Sequence, residues 1–535
     1  MPHPMRWLVF LSLVFLIILS SNGHAAEPLH VRIDALIAAK AGNTPASATA
    51  DDAEFLRRIY LDLAGRIPSA RETRAFLADR TPDRRTRLID ALLKGPDYPR
   101  RMQELFHAML MERRGDHAEW TKYLHKSFAA NKPWNQLARE ILRAAPGDEA
   151  TRGAAFFYSK RLEHYGENPI DYPGLTRDVG RLFLGKDLRC AQCHDHLFVN
   201  EYKQHDFQGL FAFFQNTYLH DPKYPTVGEK PMAQKRAFMS VFKKVKRETG
   251  PRIPNVREFD VPMFTKGQEY VRPPDAKTKS PGLPRFSPLE RLAEQLPTAN
   301  NPAFVRNIVN RMWFVMMGRG LVHPLDLHHA DNPPSHPELL DLLAGEFIAH
   351  QFDLQWLLRE LALCATYQRS SVVPESQPTP PADRFLTMIE KRLSAEQLMW
   401  SVLEATGERN RVTEAKGATG LEAVRAKFVK AFANPAGEPE DEFAPSLKAT
   451  LFLLNDPTIQ GWLTPRAGNL VERLTKLPDA QVAEELYLSV LTRLPATEER
   501  DEVAKYLAGG VSRRQSVVSQ LVWALLASTE FCVNH

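Results

Sequence analysis

Tyr60-Leu61-Asp62-Leu63-Ala64-Gly65-Arg66-Ile67-Pro68-Ser69-Ala70-Arg71-Glu72 reads as the end of one helix, a tight turn and the capped start of a second helix. Upstream, Asp51-Asp52 precede Phe55, Leu56, Ile59, Tyr60 and Leu63, an apolar stripe at helical spacing that stops at Gly65. Ser69 followed three residues later by Glu72 is a capping box, and the second helix runs on through Phe76 and Leu77. The pattern returns near the other end of the chain. Tyr487-Leu488-Ser489-Val490-Leu491-Thr492-Arg493-Leu494-Pro495 aligns with residues 60–68 without gaps and is followed by Glu498-Glu499. Two copies are too few for a solenoid, so the expectation is one helix–turn–helix unit bracketing the protein at both ends.

Outward from these units the chain continues as helices. Thr81-Pro82 opens one with Leu88, Leu92 and Leu93 on one side, and Gly95-Pro96 stops it. Aromatic-rich stretches at 105–111 and 120–128, and the segment 178–184, carry the same periodicity. Residues 219–285 differ: Lys, Pro and Thr dominate, and short β-type runs (239–242, 259–264) alternate with turns. Ser287-Pro288-Leu289-Glu290 restarts helix, with further helical periodicity over 307–317, 338–347, 354–364, 395–405 and 517–526. The fold class is therefore mainly α, with two helical domains, 27–218 and 286–535, joined by a small β-rich or irregular insert over 219–285.

The chain has 535 residues, too many for a single core, and its formal charge of +5 gives no electrostatic case for nucleic-acid binding. Met1–Arg6 is short and positively charged, Trp7–Leu19 is almost unbroken apolar, and Gly23-His24-Ala25 supplies small residues for cleavage. These features predict a signal peptide over 1–25 and export to the periplasm or cell surface, with an uncleaved anchor as the alternative. No later segment is apolar enough to span a bilayer, so the mature chain has no transmembrane segment.

Export gives the four cysteines their context. Cys190-Ala191-Gln192-Cys193-His194 is a c-type haem attachment motif. Two thiols three apart can add to the two vinyl groups of one haem, and the adjoining imidazole can ligate the iron. Cys190 and Cys193 are the expected anchors of haem c and His194 its proximal iron ligand. His205 is a distal candidate, with Met232, Met239, Met263 and His125 also within reach of a folded chain. A plain disulfide and a zinc site using Cys190, Cys193, His194 and His196 are the alternatives. Cys364 and Cys532 sit in apolar surroundings and read as buried thiols.

A second polar concentration comprises His323, Asp326, His328, His329, Asp331 and His336. It suits loop and cap hydrogen bonding, or a metal or acid–base site. Arg306, Asn307, Asn310 and Arg311 form one polar face of a helix that can pair with Asp326 or Asp331, or receive an anion.

Several stretches resemble a known family. Arg57–Ala78, Leu182-Phe183-Leu184-Gly185 running into Cys-Ala-Gln-Cys-His-Asp-His, and Gly209–Phe214 resemble the planctomycete cytochrome-associated domain of unknown function 1549. Asn301–Trp313, Gly318–Val322, Asp331–Leu340 and Arg392–Leu398 resemble its companion, the domain of unknown function 1553. Glu104-Leu105-Phe106-His107 departs from the family's more usual His-Trp-Leu-Asp. The resemblance implies an exported protein with one haem at most, and it carries no activity to transfer. The sequence thus points to an exported c-type haem redox or electron-transfer protein with an unknown redox or surface protein as partner. The alternatives are a non-haem cell-surface scaffold or binding protein with a structural Cys pair, and a metal-dependent enzyme acting on surface polymers through the 323–336 cluster.

Overall fold

The computed structural model describes residues 27–143, 148–164, 167–221, 226–278, 280–440, 452–510 and 513–535. The leader expected over 1–25 lies outside them. No described helix is long and apolar enough to cross a membrane.

The opening unit forms as its sequence dictates. The Asp51 carboxylate accepts from the backbone N–H of Ala53 (2.9 Å) and Glu54 (2.8 Å), starting the helix Asp52–Leu63. Gly65, at φ +68°, ends it in the left-handed region. The capping box then opens Ala70–Ala78: Ser69 Oγ accepts from Glu72 N (3.2 Å) and Ser69 N donates to Glu72 Oε2 (2.7 Å). Near the other end, Asp479–Val490 and Thr497–Ala508 repeat the pair of helices. The two units touch, with Arg74 Nη2 bonded to Glu485 Oε2 at 2.7 Å.

Two large buried clusters organise the helices. The first runs from Leu29 to Met388 and takes in Ile253 of the intervening insert, with Leu219, Val227, Val256 and Phe259 packed against it. At its centre the Trp134 ring stacks on Phe304 (5.8 Å, 7°) and on Phe183 (6.1 Å, 15°). Those contacts bind the helices Trp134–Leu142, Tyr172–Leu184 and Pro302–Met317 into one core. The second cluster covers Leu393 to Phe531, and Leu61 and Ile67 of the opening turn plug into it. The first helix–turn–helix therefore contacts both cores.

Asp62 lies at the seam between them, 4% exposed. It accepts from Lys391 Nζ (2.7 and 2.8 Å), Tyr367 Oη (2.8 Å) and Asn534 Nδ2 (2.8 Å). Neighbouring Arg57 and Arg58 are fully buried and bond mostly to carbonyls: Arg57 donates to Phe531 O (2.8 Å), its Nε left without a partner, and Arg58 to Tyr367 O (2.7 Å), Arg369 O (2.8 Å) and the Glu54 carboxylate (2.5 Å). Such bonds offset the cost of withdrawing a guanidinium from water. They also fasten the chain end, where Val533–Asn534 pairs antiparallel with Lys391–Arg392.

The 219–285 region holds small antiparallel hairpins, as a β-rich insert should. Thr217–Asp221 pairs with Thr226–Glu229, Arg236–Met239 with Lys246–Thr249, and Tyr270–Arg272 with Leu283–Pro284. Two local expectations need correction. The run 239–242 is a strand only at Met239, beyond which the chain turns; the run 259–264 is no strand at all. Phe259, Val261 and Phe264 instead pack singly against Ala212, Met232 and Phe286, with no partner strand to satisfy their backbone.

Candidate functional site

Helix Tyr172–Leu184 delivers the chain to the cysteine motif. Asp171 caps its start by accepting from Gly174 N (2.8 Å), and Gly185 ends it at φ +65°. Glycine is required there, because an added Cβ would lie 2.6 Å from His328 Cδ2 and 3.0 Å from Asn307 Oδ1. The next residues run antiparallel to the 326–328 segment, with Asp187 N donating to Asp326 O (2.9 Å) and His328 N to Gly185 O (3.0 Å). The motif thus hangs from the loop that carries the histidine-rich stretch.

Cys190–Gln192 is a single 3₁₀ turn, closed by Cys193 N and His194 N donating to Cys190 O (3.4 Å each). Ala191 is fully buried and pins the turn, while both Cys190 and Cys193 are exposed free thiols. Two glutamines one helical turn apart on Gln204–Ala212 hold the motif's backbone. Gln208 Nε2 donates to Gln192 O (2.8 Å), and Gln204 Nε2 to Cys193 O (2.9 Å) and Met239 O (3.2 Å). Arg177 Nη1 holds the Gln192 side-chain oxygen at 2.6 Å. Sequence reasoning missed these three supports, although the i, i+4 glutamine pair was there to be seen.

His194 has a defined tautomer. Its Nδ1 lies 2.7 Å from the Asp195 carbonyl, an acceptor only, so Nδ1 carries the hydrogen and Nε2 keeps its lone pair. Its ring lies 4.7 Å from that of Phe242, on the turn between Arg236–Met239 and Lys246–Thr249. The surrounding surface is unusually apolar for exposed residues: Phe198 is 85% exposed, Leu197 66% and Phe242 64%, with Met239, Val241 and Val245 also exposed.

The other ligand candidates are arranged differently. His196 Nδ1 accepts from Phe198 N (3.2 Å) and Val199 N (2.9 Å), which places its hydrogen on Nε2 and leaves no lone pair for a metal. His205 is in the same condition, because Arg252 Nη1 donates to its Nδ1 at 2.9 Å. Burial and the Arg252 charge lower its basicity further. Met232 is buried, Met239 and Met263 are exposed, and His125 is exposed on another face. Cys364 is fully buried, its thiol pushed up out of the ordinary range chiefly by burial, and Cys532 is half-buried.

The 323–336 group does not converge. Asp326 is ion-paired with Arg311 and with Arg181 (3.2 Å), as the polar helix face led one to expect. Asn310 Nδ2 donates to Val322 O (2.8 Å), and Asn307 Nδ2 to Leu182 O (2.7 Å). His328 lies 3.4 Å from Asn310 Nδ2, and burial together with Arg311 and Lys186 lowers its pKa to about 3. His329 packs edge-on to Tyr202 (5.5 Å) and His336 against Phe385 (5.6 Å), while Asp331 is exposed. Among the described residues, no three His, Cys, Asp or Glu side chains stand together as a metal site would need, either here or around Cys190.

Residues 32–218 match the family described as Protein of unknown function (DUF1549), PSCyt2, and residues 290–430 match Protein of unknown function (DUF1553), PSD1. No curated protein and no solved structure matches the chain.

Proposed function

We propose that this chain, in which a stretch matching DUF1549 is followed by one matching DUF1553, is an exported single-haem c-type protein that carries electrons to or from a protein partner. The observation that carries this proposal is the state of His194. Its Nδ1–H is committed to the Asp195 carbonyl and its Nε2 is free, beside two exposed thiols on one 3₁₀ turn. That is the donor set a covalently attached haem requires, and the carbonyl bond makes the imidazole a better ligand by fixing its orientation. When bound, such a haem supplies a one-electron iron couple.

The chain's own residues would do the rest. Cys190 and Cys193 would each add S–H across a vinyl group, forming two thioether bonds with no loss of atoms. His194 Nε2 would ligate the iron. Leu197, Phe198 and Phe242, all largely exposed, would cover apolar ring surface and exclude water. The hydrogen-bonded state of His205 argues against it as a sixth ligand. Met239, whose carbonyl shares Gln204 with that of Cys193, is the better placed of the sequence candidates. The dispersed 323–336 residues give a surface-polymer hydrolase no assembled centre.

Cys190→Ser tests the proposal directly. Expressed with its leader in a host that attaches haem, the wild type is expected to keep a haem stain after denaturation and the variant to lose stable attachment. An unchanged stain in the variant, or a Cys190–Cys193 disulfide and no haem in the wild type, would replace it with the scaffold reading.

A further inference from the structure

A cavity of about 550 Å³ lies at the seam of the two cores, away from the cysteine motif, among the helices Asp97–Met111 and Pro302–Met317 and the segment 390–397. Its size falls in the range of small-molecule sites. One face of Asp97–Met111 lines it with Arg101, Glu104, Leu105, Ala108 and Met109, residues three and four apart that share a helix face. Across from them stand Phe314 and Val315. The cavity therefore has both an apolar wall and a charged one.

The charged wall is unevenly satisfied. Asp62 is held by Lys391, Tyr367 and Asn534; Glu104 accepts from Trp400 Nε1 (2.8 Å) and Arg100 Nη1 (3.0 Å); Glu396 pairs with Arg113 (2.5 Å). Arg101 is 5% exposed, and its Nε donates to the Asp62 carbonyl at 3.3 Å. Its two terminal amino groups have no hydrogen-bond or ion-pair partner among the described residues. These two donors open onto the cavity, and their parallel geometry matches a carboxylate. Of the other cations lining the cavity, Arg181 and Arg311 are paired with Asp326 and Lys391 with Asp62, so Arg101 brings the unpaired charge and a monoanion suits the site better than a phosphate dianion.

We infer that this cavity binds a small organic carboxylate, its oxygens paired with Arg101 and its hydrocarbon part against Leu105, Met109 and Phe314. This site is independent of haem attachment.

Hexanoate is the probe, titrated calorimetrically into the full mature chain beside hexanol and inorganic phosphate. Saturable binding of hexanoate at one site is expected, with hexanol and phosphate at least about tenfold weaker. Arg101→Gln should weaken hexanoate by at least about tenfold while leaving thermal stability equal or higher, because it removes a buried unpaired charge. Met109→Trp, which fills the apolar end and keeps Arg101, should abolish binding and carries the test if Arg101→Gln does not fold. Absence of saturable hexanoate binding would overturn the assignment. So would undiminished binding in either variant, or phosphate binding as tightly as hexanoate.

Discussion

In the opening helix–turn–helix the Arg66 guanidinium lies 5.2 Å over the Tyr60 ring and grips Glu72 through bonds of 2.9 and 3.0 Å. Near the far end, Arg493 lies 5.2 Å over Tyr487 and grips Glu499 through bonds of 2.7 and 2.8 Å. Glu72 accepts from Ser69 N, and Glu499 from Ala496 N, both at 2.7 Å. Even the strained position coincides, with Gly65 at φ +68° and Thr492 at φ +66°. What differs is the setting. The Arg66 side chain is 8% exposed and also bonds Asp97 at 2.8 Å, whereas Arg493 is 29% exposed and bonds Glu530 at the periphery. Asp62, at the seam of the cores, has Ser489 as its counterpart. One local device serves twice: once as a joint between cores and once as a surface clasp.

That comparison is open to direct attack. The largest effect is expected from Arg66→Met, which empties an 8% exposed position and takes the guanidinium from Glu72 while Asp97 keeps Arg409 (2.6 Å), and it should cost about 2 kcal/mol or more. Arg493→Met, at a position 29% exposed, should cost only about 1 kcal/mol. Urea unfolding of the two variants compares them, and equal losses would break the distinction. At the strained position, Gly65→Ala should cost about 1–2 kcal/mol for the left-handed backbone. It should lose more besides, because its Cβ would meet Arg101 Cδ at 2.8 Å. Thr492→Gly should fall within about 0.5 kcal/mol of wild type, since relief of strain is offset by loss of a buried methyl group. The smallest change sharpens the likeness: Ala496→Ser supplies the cap hydroxyl that Ser69 has and should raise stability by about 0.5–1 kcal/mol. No gain in the unfolding midpoint would mean that the second turn cannot use the cap.

Legibility followed the range of the forces. The helices, the Ser69 box, the Gly65 stop and the internal echo were all readable, because caps, turns and apolar stripes act within a few residues. The grip of Arg66 on Glu72 lies within that range too. The core spanning Leu29 to Met388 was not readable, because stacking of Trp134 on Phe304 is a long-range choice that no local pattern encodes. The 259–264 run misled for a related reason, since a β-type pattern makes a strand only where a partner edge exists. At the motif, Cys190, Cys193 and His194 were legible as types and spacing. The Asp195 carbonyl that sets the His194 tautomer and the Phe242 ring laid beside it were not. Nor was the unpaired state of Arg101, which depends on what every neighbouring carboxylate is already bonded to.

The most direct measurement is a pyridine haemochrome spectrum with intact mass on the wild-type protein, exported from a host that attaches haem. A single-haem c-type protein gives a haem-c spectrum and a mass gain of one haem on the mature chain. A protein of unmodified mass with no haemochrome band, its Cys190 and Cys193 oxidised to each other or holding zinc, would contradict the haem proposal.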